Sequence, residues 1–95
     1  MKHALIAVAA VASLTMGSVA SAQEALAESS GCLKCHATDT KKKGPAFKAT
    51  AAKYKGKADA EATVFANVKG GAGEHPKVKA SDDDVKSLIK WILAM

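Results

Sequence analysis

Gly31-Cys32-Leu33-Lys34-Cys35-His36 contains both of the chain's cysteines, two residues apart, with a histidine directly after the second. A Cys-x-x-Cys-His run is the attachment signature of covalent haem. Thiols at that spacing add to the two vinyl groups of one porphyrin, and the adjacent histidine then lies under the iron as proximal ligand. Three other chemistries use paired cysteines. A thioredoxin-type dithiol needs a strand–helix setting, and no period-two apolar alternation signals a strand here. Zinc would need two more ligands, and the neighbours Cys35 and His36 fit poorly into one tetrahedron. A disulfide between Cys32 and Cys35 would close a loop too small to stabilise much. The motif therefore points to one haem c, bound through Cys32 and Cys35, with His36 as an iron ligand.

Upstream of the motif the chain reads as an export segment. Lys2 and His3 form a short basic start, Ala4 to Leu14 is apolar apart from Ser13, and Ala20-Ser21-Ala22 is a small-x-small cleavage pattern. A membrane-anchoring helix would need about 20 apolar residues, and Ser13, Thr15, Ser18, Ser21 and Gln23 interrupt the run too early. Residues 1–22 are thus expected to be a cleaved signal peptide and residues 23–95 a single domain. Export to the periplasm agrees with the haem reading, because c-type attachment takes place outside the cytoplasmic membrane.

The remaining 73 residues can bury only a modest core. Phe47, Tyr54, Phe65 and Trp91 are the only aromatic residues of the Phe, Trp and Tyr types. A haem would add a large apolar face, and the abundant alanines would let helices approach it closely. The formal charge of the whole chain is +5, all of its cations are lysine, and loss of Lys2 would leave +4. Nothing suggests base recognition, so nucleic-acid binding is a poor reading despite a pI near 9.3. A lysine-rich surface suits acidic protein partners better.

The pattern is helical throughout. A first helix is expected over Gln23 to Leu33, a second over Ala46 to Tyr54, and a third over Asp59 to Lys69 with Val64, Phe65 and Val68 on its buried face. Between the first two, Ala37 to Lys43 reads as polar and flexible, and Gly44-Pro45 as a turn. The last helix is the best marked. Ser81 is a good N-cap with Asp84 three residues on. Asp82 and Asp83 suit the first turn, and Val85, Leu88, Ile89, Ile92 and Leu93 form an apolar stripe. Trp91 and the other aromatics read as packing residues, and no triad, carboxylate pair or phosphate loop is present.

Over residues 23–95 the chain resembles the small monohaem class I bacterial cytochromes c, in particular the short c551/c8-like ones. The likeness rests on the helix leading into residues 31–36, on Lys43-Gly44-Pro45-Ala46-Phe47, on Ala51-Ala52-Lys53-Tyr54-Lys55-Gly56, and on Ser81-Asp82-Asp83 opening a helix that contains Lys90-Trp91-Ile92-Leu93. It implies an all-α fold of about four helices around one haem, with the first and last helices crossing. It also implies that the Pro45 carbonyl accepts the His36 Nδ1 proton and so fixes the ring.

The second axial position departs from the family pattern. The family places a methionine in a Pro-Met-Pro-Pro-like loop six residues before the serine that caps the last helix. Here that position is His75, followed by Pro76. Met1 and Met16 fall in the export segment and Met95 ends the chain. His75 is the leading sixth ligand, with an open or water-bound iron, Lys77, Lys79, Asn67 and Met95 as the alternatives.

These readings define a monomeric periplasmic one-electron carrier with His/His iron that works with redox proteins bearing acidic docking surfaces, with no membrane span after cleavage. It is expected not to be an enzyme, since peroxidase-like chemistry finds no acid–base group beyond a displaced His75. The alternative is a haem-based NO or CO binding protein or sensor whose sixth ligand is displaceable or absent.

Overall fold

The computed structural model describes residues 14–95, so most of the expected export segment, residues 1–13, lies outside the described residues. Four helices follow in order: α1 (Leu14–Ser29), α2 (Phe47–Tyr54), α3 (Ala60–Gly70) and α4 (Asp82–Leu93), with short 3-10 turns at Cys32–Lys34 and Ala72–Glu74. No strand forms among the described residues. An isolated antiparallel bridge pairs His36 with Lys41.

The last helix organises the rest, since α1, α2 and α3 all pack against it. Its start is fixed locally. Ser81 is extended and its Oγ accepts the Asp84 backbone N–H at 3.2 Å, while three acids follow in the first turn where the helix dipole favours them. Val85, Leu88 and Ile89 are each 3% exposed. Burial of each such side chain is worth roughly 1.5–3 kcal/mol. Ile92 and Leu93, expected to extend this stripe, are only half-buried.

The other buried residues are Phe47 and four alanines, Ala27, Ala46, Ala51 and Ala60. Alanine at these positions lets the helices approach closely while contributing little apolar area of its own. Gln23 links α1 to α4, its Nε2 donating to Ser87 Oγ at 2.6 Å.

Two helices differ from expectation. The first begins at Leu14 and ends at Ser29, short of the expected Leu33. Gly31 takes φ 84°, in the left-handed region that glycine tolerates, and this turns the chain out of the helix into the Cys32–Lys34 turn. The third helix ends at Gly70, and Gly71 caps it at φ 72° with its N–H on the Ala66 carbonyl. Its expected buried face, Val64, Phe65 and Val68, is half-buried instead. Phe65 lies under the Lys86 ammonium, 5.3 Å from the ring centroid, which places it at the rim of the α3–α4 contact. No helix among the described residues is long and apolar enough to cross a membrane.

Candidate haem site

The segment after α1 is wound tightly enough to present both cysteines and the histidine from one turn. Cys35 N–H and His36 N–H both donate to the Cys32 carbonyl, at 3.2 and 3.0 Å. The thiols are free and half-buried. Burial pushes the Cys32 thiol above the usual range, partly offset by a backbone hydrogen bond, so without haem this thiol stays neutral in an apolar setting.

Ala37 to Lys43 was expected to be a flexible polar stretch, but residues 37–48 are tied at several points. Gly44 N–H donates to Cys35 O at 2.7 Å, Lys42 N–H to Gly44 O at 3.1 Å, Phe47 N–H to Ala37 O at 2.9 Å and Lys48 N–H to Thr38 O at 3.1 Å. The loop is thereby folded back over His36. Its polar composition concealed this because the bonds run through backbone groups, which any residue but proline supplies in full.

The His36 ring is confined on three sides. Its Nδ1 lies 2.7 Å from the Pro45 carbonyl, as the family resemblance implied. Nδ1–H donating there leaves Nε2 unprotonated and available to a metal. The ring of Phe47 stacks beside it, with centroids 5.3 Å apart at 24°, and Phe47 in turn meets Trp91 of α4 edge-on at 6.0 Å and 71°. Gly44 closes the third side. A Cβ built there would lie 2.2 Å from His36 Cε1 and 2.7 Å from each ring nitrogen. Gly44 is therefore a site residue by virtue of its missing side chain. The sequence offered only one hint of this, a glycine immediately before the ligand-orienting proline. Phe47 too was read only as core, although it also braces the proximal ring.

His75 is brought to the same place from the far side of the molecule. The chain reaches it through three positive-φ residues, Gly71 (72°), Gly73 (63°) and Glu74 (68°). Glu74 is the one non-glycine residue with positive φ among those described, a conformation that is unfavourable for an L-residue with a side chain. The His75 ring is nearly parallel to that of His36, at 10°, with centroids 6.1 Å apart. Its Nδ1 lies 2.6 Å from the Pro76 carbonyl, so that Pro76 orients His75 much as Pro45 orients His36. Two imidazoles holding one metal from opposite sides through Nε2 bonds of about 2 Å have centroids about 6 Å apart. The separation of the His36 and His75 rings is of that size. Among the described residues no group of three or more His, Cys, Asp or Glu side chains converges as a cage for a metal ion.

A helical fold that closes on a Cys-x-x-Cys-His turn and confines the histidine between a prolyl carbonyl and an aromatic ring defines a c-type cytochrome. No family model matches the chain, but individual proteins do. Cytochrome c-551 of Pseudomonas aeruginosa is 38% identical, over 97% of this chain and 95% of its own length. Cytochrome c-552 of Nitrosomonas europaea is 37% identical, over 100% of this chain and 99% of its own. Among solved structures, the class 1 cytochrome MtoD of Sideroxydans lithotrophicus ES-1 superposes with a TM-score of 0.66 at 39% identity, covering 78% of this chain and 92% of MtoD. The chain belongs to the small monohaem class I cytochromes c. It carries one covalently attached haem c and works in electron transfer with redox partners, as a carrier rather than an enzyme.

Proposed function

We propose that this protein is a periplasmic one-electron carrier, bound to its haem through Cys32 and Cys35 and ligating the iron with His36 and His75. The observation that carries the reading is the pair of near-parallel imidazoles 6.1 Å apart, each with Nδ1 at a prolyl carbonyl. Bound haem supplies an iron that passes between the ferric and ferrous states by one electron. His36 is tethered on both backbone and ring and His75 through its ring, and with both ligands retained in the two states little reorganisation accompanies transfer. Cleavage after Ala22 would leave Gln23–Ser29 as the N-terminal helix, still joined to α4 through Gln23 and Ser87. The mature chain acts as a monomer.

The lysines divide into groups with different roles. Lys42 donates to the Leu33 carbonyl at 2.8 Å and Lys48 pairs with Asp39 at 2.6 Å on the surface. Lys53 and Lys57 flank the Tyr54 ring at 5.5 and 5.6 Å. Lys41, Lys43, Lys53, Lys55 and Lys57 are exposed and offer a basic surface to an acidic partner. The second-order rate with such a partner should fall as ionic strength rises past the point where the Debye length is about 8 Å. A rate indifferent to salt would remove the electrostatic docking.

Low-temperature EPR of the oxidised holoprotein, with His75→Ala beside it, tests the ligand assignment. Near-parallel rings predict a rhombic low-spin signal for the wild type, rather than the single large-g feature of perpendicular imidazoles. The variant should become high-spin. A high-spin wild type unchanged by the substitution would discard His75 as ligand and turn the reading toward small-ligand binding.

A further inference from the structure

The proposed ligand His75 lies in a loop with little support of its own. Between Gly71 and Ser81 the chain forms only one short 3-10 turn, and the three positive-φ residues stand directly before His75. His75 N–H reaches the Ala72 carbonyl at a long 3.3 Å. Something outside this limb must hold the ring opposite His36.

The hold comes from the end of α3. Val78 N–H donates to Val68 O at 2.8 Å. One residue on, Lys69 Nζ donates to the Ala80 carbonyl at 2.6 Å and pairs with Asp82 Oδ1 at 3.2 Å. Lys69 is unlike the surface lysines. Its side chain is 23% exposed against 59% for Lys48, and its ammonium is committed to a backbone carbonyl on the returning limb of the ligand loop. That carbonyl precedes Ser81, the cap of α4. Lys69 therefore joins three things at one point: the last turn of α3, the downstream end of the His75 loop, and the first turn of α4. The Asp82 carboxylate is largely exposed and contributes little, so the charge-assisted bond to Ala80 is the stronger part of the clamp.

We propose that Lys69 is a positioning residue for His75, clamping the downstream limb of its loop so that the imidazole stays opposite His36. This rests on the reading of His75 as the sixth ligand. Without the clamp the strained upstream limb relaxes and the ring leaves more often, while the rest of the domain keeps its α4 core.

The test compares ferric holoproteins of wild type, Lys69→Met, Lys69→Gln and Lys69→Arg by EPR and by the rate of cyanide binding at fixed pH. A ligand that must dissociate first makes cyanide binding a direct measure of how often His75 leaves. Lys69→Met should bind cyanide about tenfold faster and show a minor high-spin fraction. Lys69→Arg, still able to donate to Ala80 O, should return both toward wild type. Should Lys69→Met fail to accumulate, Lys69→Gln carries the comparison with a shorter, uncharged donor, and is expected to lie between wild type and Lys69→Met. Cyanide kinetics and EPR unchanged across the series, whatever happens to the melting temperature, would overturn the positioning role and leave Lys69 purely structural. A wild type without a low-spin bis-imidazole signal would instead overturn the ligand reading on which the proposal stands, so the two failures are told apart by the wild-type spectrum alone.

Discussion

Gly44→Ala abolishes the proximal site in the expected outcome: covalently haem-loaded protein falls sharply in yield, and what accumulates has lost the wild-type low-spin spectrum. The added methyl would lie 2.2 Å from His36 Cε1, far inside any tolerated contact, so one partner must move. His36 has nowhere to go. Its backbone N–H is held by Cys32 O at 3.0 Å, its Nδ1 by Pro45 O at 2.7 Å, and its ring by Phe47. Gly44 is equally fixed, donating to Cys35 O and accepting from Lys42. Overpacking a well-filled site costs about 1–3 kcal/mol and occasionally more. With both partners pinned, the upper end applies. A loss of about 3 kcal/mol in a domain this small lowers the melting temperature by more than about 12 °C. Thermal melting of the holoprotein together with its EPR spectrum checks this. A variant that melts within a few degrees of wild type with the same spectrum would show that the ring and the loop can separate cheaply.

Why Gly44 escaped a reading of the sequence, while His36 did not, shows where such readings end. Cys32, Cys35 and His36 are legible because covalent chemistry demands those residue types at that spacing. Ser81, the acids after it and the Val85, Leu88 and Ile89 stripe are legible because capping and burial in α4 are local, and all appear where expected. His75 was singled out only through the family resemblance, which places a ligand six residues before the serine that caps the last helix. What could not be read was packing between segments. That Gly44 touches the ligand ring, that Phe47 braces it, and that Lys69 bonds to Ala80 all depend on how distant pieces meet. The first helix was misjudged at its end for a local reason: Gly31 adopts a positive φ, which a glycine permits but does not announce. The half-burial of Val64, Phe65 and Val68 is a further case, since apolar spacing locates a face but not how much of that face is covered.

His75→Met carries the other large effect, on potential rather than stability. Thioether ligation favours ferrous iron relative to imidazole, and axial identity is a main lever on haem potential. If His75 is bound in the wild type, replacing it by methionine raises the midpoint potential by on the order of 100 mV, a fraction of the ~0.8 V that haem proteins span. For a one-electron couple, about 59 mV corresponds to tenfold, so this change is roughly a 50-fold shift in preference toward the ferrous state. The replacement has to ligate from the same loop. His75 is half-buried there, and its Nδ1 bond to Pro76 O is lost with the ring, so the methionine is oriented by its neighbours alone and a weaker bond is expected. Weak ligation still moves the potential upward, because it withdraws imidazole donation from ferric iron; only the spin state would differ. Spectroelectrochemical titration of the two holoproteins under identical conditions makes the measurement. Equal potentials in the two proteins would mean that residue 75 does not reach the iron, and the sixth position would pass to solvent or to one of the nearby lysines, Lys77 or Lys79.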